Sequence, residues 1–513
     1  MRKYSILYAL FPAEAGVEEI TMKVNNWTEA IIFIVYLVFM IGVGLFFFLR
    51  SKGAGEKEYF LGGRKMGPWV SALSAGASDM SAWVLMGLPT AIYAKGLGQV
   101  WIAIGLAVGY ALSWLFEAKR LRAFSIVSDD AITIPQYLTR RFKSKSYALQ
   151  VVCAVIFLIA YTIYAASSIK AAGALFNQVI GIDTNIAMYL AAAIIIAYTF
   201  LGGFSAVCWT DFFQGLLMLG ALLLAPIFAL NMMNISSEAI VAETPNFYNP
   251  ITSWQDIASG FGWGLGYFGM PHIIIRFLSL RSQKDIKKSA GIGITWTTLI
   301  LVFAALVGIF GRQMIAYDAQ MVKDEAVFIN MVRQIFPAVI AGILLSAILA
   351  ASMSTADSQL LSAASAFSSD VYKPIVRNNK ASNREMLWTG RMVVLIIAVV
   401  ALVIASDPGA KSIMNLVSNA WGVFGAAFGP VILLSLFWKR LNFLGALSGI
   451  IAGAAADILW LAFLANTGLY EIIPGFAAGL VVAVVVSLIT KKPSKEVEEL
   501  FEAGVNYQDP EQA

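Results

Sequence analysis

Apolar runs of bilayer length recur along this chain from one end to the other, and that repetition leaves few folds open. About 20 apolar residues cross a hydrocarbon core. Inside it only helices or closed barrels satisfy every backbone group. Candidate spans lie near 28–49, 70–93, 99–118, 147–169, 186–205, 211–231, 257–277, 290–311, 329–365, 386–405, 415–437, 443–465 and 471–490. These thirteen stretches predict an all-α polytopic membrane protein, with the long 329–365 stretch protruding at its ends. Composition agrees, since 59% of the 513 residues are hydrophobic and 13% are charged. A soluble domain carries about 25% charged residues. One domain is expected over residues 28–490. Residues 1–27 form an extracellular leader that only loosely resembles a signal peptide, and 491–513 form a short cytoplasmic tail rich in Glu. Two cysteines, Cys153 and Cys208, and a single histidine support neither a disulfide framework nor a zinc site.

Positive charge sets the expected orientation, because loops that stay inside carry the Lys and Arg. The segments 50–69, 119–146, 276–289, 373–391, 439–440 and the tail hold 27 of the 36 basic residues, and they are every second connection plus the C-terminus. The long connection 232–256 holds none. The N-terminus is therefore expected outside and the C-terminus inside.

Two spans are interrupted. The first reads Ser74-Ala75-Gly76-Ala77-Ser78-Asp79-Met80-Ser81-Ala82-Trp83, with Gly87 and Pro89 beyond. The second places Gly260, Gly262, Gly264, Gly266 and Gly269 within ten residues, followed by Met270-Pro271. Gly costs about 1 kcal/mol and Pro about 3 kcal/mol in a helix interior, so both spans are expected to break. They lie five spans apart, which inverts their direction. Paired broken segments in two inverted halves point to a transporter's binding site.

A carboxylate in such a segment is costly and usually faces a cavity, an ion path or a partner charge. Asp79 is the carboxylate of the first broken span, and a helix-capping role is the plainer alternative. In the ninth span Ala351, Ser354, Thr355 and Ser358 share one helical face. Small hydroxylic faces serve close helix packing. Beside Asp79 the face also reads as one wall of a cation site, since a hard cation prefers oxygen ligands. Hydroxyls of Ser354 and Thr355, with carbonyls freed near Ala77 and Met80, would supply them. Trp263 and Tyr267 share a face of the second broken span and would wall an organic solute; Tyr164 is a weaker candidate, with core packing as its alternative. Arg64 reads first as inside positive charge, Asp211 as a helix cap combined with ion-path architecture, and His272 as a helix-end residue. Asp457 is an intramembrane acid without an assigned role. No Walker motif, glycine-rich nucleotide loop or catalytic triad appears, so neither ATP-driven transport nor enzyme chemistry finds support.

Six stretches carry a resemblance to a known family: Tyr59 to Arg64, Ser71 to Pro89, Trp209 to Gln214, Gly262 to His272, Ala341 to Thr355 and Trp421 to Pro430. Over about residues 28–490 the chain resembles the sodium/solute symporter family, and within it the bacterial sodium/proline branch. The resemblance implies a leucine-transporter-like fold of five plus five inverted spans, with repeats over about 70–231 and 257–437. It implies sodium held by Ala77, Met80 and Ala351 carbonyls and by Ser354 and Thr355 hydroxyls, with Asp79 and Ser81 needed for coupling. It implies a proline pocket of Trp83, Tyr164, Trp263, Tyr267 and Pro271, and coupling or gating roles for Arg64 and Asp211. Ala82 departs from the family pattern, where Gly is expected, and puts the backbone's approach to a ligand in question. The implied activity is import of L-proline with Na⁺ across a bacterial plasma membrane by alternating access. No cofactor beyond the coupling ion and no nucleic acid are expected, and a monomer suffices. Another small zwitterion, or coupling to H⁺ or Li⁺, is the alternative within the fold. A membrane sensor or channel is the alternative outside it.

Overall fold

The computed structural model describes residues 27–50, 56–201, 203–407 and 412–509. Apart from Trp27, the expected leader lies outside the described residues. The described residues are helical, with a single isolated bridge pairing Met66 and Leu280. Among the described residues, ten helices are long and apolar enough to cross a membrane. Their buried faces merge into one core, while Ile34, Val38, Ile159, Val403, Leu459 and Val485 remain exposed outside it. Water does not favour such a surface, whereas lipid does. The protein is a multi-pass membrane protein.

Two helical segments break near mid-span. The first runs from Pro68 to Asp79, stops at Met80, and resumes as a wide π turn at Trp83–Gly87 and an α-helix at Leu88–Lys95. Met80 has φ −74° and ψ 72°, and the Ser81 N–H donates to Asp79 O at 2.8 Å. That is an inverse γ-turn. The second runs from Trp254 to Leu265, tightens over Gly266–Phe268, and restarts at Pro271. Pro is favoured at the first helical position, where its missing N–H costs nothing.

The glycines of the second segment have a different use from the one expected. Gly260, Gly262 and Gly264 lie inside a regular helix. A Cβ on Gly264 would stand 2.4 Å from Gly105 O, and one on Gly266 would stand 2.0 Å from Trp421 Nε1. Close approach of the Gly105 backbone and of the Trp421 ring explains these two positions, and only the Gly266–Pro271 part is unwound.

The long 329–365 stretch is also divided. Phe336 (φ −111°, ψ 145°) ends a short helix over Val327–Ile335, and Pro337 caps the next, Ala338–Phe367. A residue before Pro is pushed out of the helical region. Asp211 does not cap a helix: its helix starts at Phe204 after Gly203, so Asp211 sits two turns inside.

Candidate functional site

The first break creates the site's polar centre. In an uninterrupted helix the Ser81 N–H would reach Ala77 O, but it turns back on Asp79 O instead. The Ala77 carbonyl is left to the long Ala338–Phe367 helix. There Ser354 Oγ donates to Ala77 O at 2.8 Å and approaches Ala351 O at 3.2 Å. Thr355 Oγ1, one residue on, is buried without a hydrogen-bond partner. Ala77, Ala351, Ser354 and Thr355 thus meet at one point in the fold's interior, and Met80 marks the turn beside them. A buried hydroxyl with no partner is costly in an apolar interior. The cluster presents two carbonyls and two hydroxyls, which is the oxygen chemistry that a hard cation takes.

Asp79 belongs to a neighbouring group. It is fully buried, and its Oδ2 accepts from Tyr267 Oη in the second broken helix. Its Oδ1 has no partner. Its backbone carbonyl gathers Trp83 Nε1 and Tyr164 Oη, both at 3.3 Å. Ser81 Oγ accepts from the Trp83 N–H at 3.5 Å. Trp83 stacks on Trp263 with ring centroids 6.1 Å apart. The breaks of both helices therefore face each other across an aromatic cage with a carboxylate in its wall. Pro271 starts the second half of this broken helix beside the cage. Ala82 has φ −54° and ψ −18°, so its backbone does not require glycine.

A third group closes the end that carries the basic loops. Arg276 and Asp211 are both buried and pair at 3.2 Å. Ser74 Oγ donates to Asp211 Oδ2 at 2.6 Å, and Arg276 donates to Ser74 Oγ at 3.1 Å and Ser358 Oγ at 2.6 Å. Ser358 is one helical turn beyond Ser354. The pair thus sits directly below the hydroxyl cluster. Arg64 is more than a solvated positive charge, with its side chain only 8% exposed. It donates to Leu278 O at 2.7 Å, Ala131 O at 2.9 Å and Asp130 at 2.9 Å. Gly62, Gly63 and Arg64 all have positive φ, at 61°, 61° and 56°. Two glycines make that left-handed turn accessible, and three acceptors fix the arginine in it. Burial works to raise the Asp130 carboxyl, but hydrogen bonds from Lys57 and Arg64 outweigh it and hold it below its ordinary value. His272 lies at the start of the Pro271–Ser279 half-helix, its N–H donating to Tyr161 Oη at 3.0 Å.

Two broken helices thus surround buried oxygens and a carboxylate, closed on one side by an ion pair. The sodium:solute symporter family model matches residues 59–453. This chain belongs to the sodium:solute symporter family. It is 43% identical over 480 residues to the high-affinity proline transporter PutP of Bacillus subtilis, spanning 92% of this chain and 99% of that protein. It is 42% identical over 489 residues to a sodium/proline symporter of Staphylococcus aureus, spanning 92% and 95%. The osmoregulated proline transporter OpuE of Bacillus subtilis is 42% identical over 475 residues, spanning 91% and 96%. Among solved structures, a Na⁺-coupled sialic acid symporter in a substrate-bound outward-open state overlays with a TM-score of 0.76 at 20% identity, covering 92% of this chain and 99% of the other. Mhp1, a nucleobase-cation-symport-1 family transporter in a closed conformation, overlays at 0.55 with 15% identity, covering 87% and 98%. These two likenesses show the fold.

In this symporter several residues complete the site that sequence reasoning passed over. Trp421 donates to Trp263 O at 2.8 Å and sits edge-on to Tyr267 at 5.1 Å. Tyr470 lies against Trp263 at 5.0 Å, and Tyr110 meets Tyr267 at 5.1 Å. Arg276 was counted only among the basic loop residues. Its signal was its position five residues after Pro271, inside an apolar helix.

Proposed function

We propose that this protein imports L-proline coupled to Na⁺ by alternating access. The observation that carries the reading is the contact of Ser354 Oγ with Ala77 O across the first break, beside an aromatic cage that contains the Asp79 carboxylate. The proline-transporting relatives described above support the solute, and the family supports the ion.

Na⁺ binds to the Ala77, Met80 and Ala351 carbonyls and the Ser354 and Thr355 hydroxyls. Binding replaces the Ser354–Ala77 contact with ion–oxygen contacts, and so ties the first break to the long helix. Asp79 and Ser81 link that event to the cage. Proline lies against Trp83, Tyr164, Trp263, Tyr267 and Pro271. Its ring matches the flat aromatic walls, and its charged groups meet Asp79 and the N–H groups freed at the half-helix ends. Asp211 and Arg64 hold the cytoplasmic side shut until both ligands are in place. A ligand shifts such an equilibrium only by its differential affinity for the two states.

The ten long helices, the Thr184–Leu201 helix and the two broken segments make thirteen spans. We place spans 2–6 and 7–11 as inverted repeats, the basic loops in the cytoplasm, and the protein in a bacterial plasma membrane. A single chain suffices. A potential of 100 mV contributes about 2.3 kcal/mol per charge, and a tenfold Na⁺ gradient about 1.4 kcal/mol. One Na⁺ per proline then supports accumulation of about a few hundred-fold.

The test is uptake of labelled L-proline into proteoliposomes under a Na⁺ gradient, with K⁺ substituted as control. Uptake that requires Na⁺ and rises with an inside-negative potential is expected. Uptake indifferent to Na⁺ would overturn the coupling, and none from folded protein would overturn the solute.

A further inference from the structure

Helices Ile413–Phe437, Phe443–Phe463 and Ile472–Ile489 pack through glycines. A Cβ on Gly453 would stand 2.1 Å from Ala426 O, and one on Gly449 would stand 2.7 Å from the Ala483 side chain. Into this tight interface the chain inserts Asp457. Its side chain is 0% exposed, and neither carboxyl oxygen has a hydrogen-bond partner. Backbone closes in on it from both sides. A Cβ on Gly422 would stand 2.7 Å from Asp457 Oδ1, and one on Gly475 would stand 2.9 Å from its Cβ. The titratable groups that act on it come from the Tyr470–Glu471 corner that opens the last membrane helix. Glu471 is 8% exposed and lies one helical turn before Gly475, whose N–H donates to Glu471 O at 3.1 Å. Both groups are acidic, and no Lys, Arg or His among the described residues pairs with Asp457.

An ionised carboxylate at that position faces no donor and no cation, and it repels a second carboxylate. Two acids sharing one site keep a proton between them, and a neutral acid removes the cost of a charge in the bilayer. The flanks of the pair lead to the solute cage. Next to Gly422, Trp421 donates to Trp263 O at 2.8 Å. Next to Glu471, Tyr470 lies on Trp263 at 5.0 Å and donates to Ser418 O at 2.7 Å.

We propose that Asp457, with Glu471 one turn before the neighbouring Gly475, is a proton-binding site whose occupancy sets how Trp421 and Tyr470 hold Trp263. The proton keeps the glycine interface closed around a neutral acid. Its loss places a second negative charge between Gly422 and Gly475, pushes these helices apart and loosens the outer wall of the cage. The proton is not part of the transported cargo; it tunes the affinity of the cage. This rests on reading the cage as the proline site.

Two measurements test it on the full reconstituted chain. Initial rates of proline uptake at saturating Na⁺ and fixed internal pH are followed as external pH rises from mildly acidic to mildly alkaline. The expected result is a several-fold rise in KM for proline at nearly constant kcat. Asp457→Asn, which mimics the neutral acid, should hold KM at its low-pH value across the range, and Asp457→Glu should restore a shifted pH dependence. Infrared difference spectra on changing pH should contain a carboxylic-acid C=O band that Asp457→Asn removes. An unchanged KM profile in Asp457→Asn, or an unchanged infrared spectrum, would overturn the proposal. If wild-type protein takes up no proline at any pH, the cage assignment fails, and the infrared measurement still decides the proton site.

Discussion

The two halves of the second broken helix are held by opposite chemistry. The outer half, Trp254–Leu265, rests on rings and glycines: Trp263 touches Trp83, Trp421 and Tyr470, and Gly264 lies on Gly105 and Gly109. The inner half, Pro271–Ser279, is tied down by arginines. Arg64 holds Leu278 O at 2.7 Å, Arg122 holds Leu280 O at 2.9 Å, and Arg276 pairs with Asp211. The segment's end also bridges Met66, whose N–H reaches Ser279 O at 3.1 Å. Charge-assisted hydrogen bonds are directional and geometrically specific. Ring contacts are weaker per pair and tolerate offset and edge-on arrangements. One end is thus held in a single arrangement by directional bonds, and the other by contacts that tolerate repacking.

Breaking the inner ties should have the largest effect. Arg276→Ala leaves Asp211 buried and unpaired, at a cost of about 3–5 kcal/mol. A large loss of thermal stability and of uptake is expected. Adding Asp211→Asn should recover stability but not coupled transport. If the single variant melts like wild type, the buried pair is not what closes this end.

The hydroxyl cluster between the two halves comes next. Thr355→Val removes a hydroxyl that has no partner, so the fold should be unharmed. Loss of a ligand to a charged group is worth about 1.5–3 kcal/mol. The Na⁺ concentration for half-maximal uptake should rise at least roughly tenfold. Asp79→Asn, or Ser354→Ala combined with Thr355→Ala, should also raise it strongly. Unchanged sodium activation would sink the site assignment.

Softening the outer wall should matter less for stability and more for the solute. Trp263→Ala removes ring pairs worth about 0.5–1.5 kcal/mol each beyond area. KM for proline should rise by about tenfold with the Na⁺ requirement little changed. An equal shift in both would mean that the two halves act as one unit.

The smallest effect sharpens the comparison at the tail. Asp509 pairs with the buried Arg122 at 2.7 Å, and its second oxygen accepts the Gln283 N–H at 2.5 Å. Partial burial raises the Asp509 carboxyl, but the Arg122 bond outweighs it and leaves it below its ordinary value. The Lys495–Val505 helix packs its Phe501 against Phe124 and under Arg141. Asp509→Asn should raise labelling of a cysteine placed near Ser358 from the cytoplasmic side a few-fold, with uptake nearly intact. No change in labelling would remove the tail from the closure.

Much of this was readable in the chain. Apolar runs of bilayer length have only one kind of solution in lipid, so the helical class followed from hydropathy. The break before Pro271 followed from the local preference of Pro. The first span was expected to break through Gly76, Gly87 and Pro89, yet it breaks at Met80, with Gly76 inside the first helix and Gly87 and Pro89 inside the resumed one. The Ser354–Thr355 face followed from helical periodicity. Long-range pairings had no such local sign. Arg276 counted as a loop charge because an arginine near a span's end reads the same whether it faces water or Asp211. Trp421 and Tyr470 are ordinary aromatics in ordinary spans until the fold sets them on Trp263. Most glycines of the second broken span announced unwinding, yet Gly260–Gly264 proved to be contact points inside a regular helix.

The sequence by itself determined that the chain is helical, lies in a membrane, and is interrupted at two points beside a buried carboxylate and a hydroxylic helix face. Each of these depends on composition and on spacing within one segment. Only the tertiary structure decided that Asp79 turns to Tyr267 while Ser354 turns to Ala77, that Asp211 is spent on Arg276, and that Asp457 is enclosed without a donor. Those outcomes depend on which helices meet and at what depth. A buried charge is defined by its neighbours, and neighbours that lie up to hundreds of residues apart are chosen by packing.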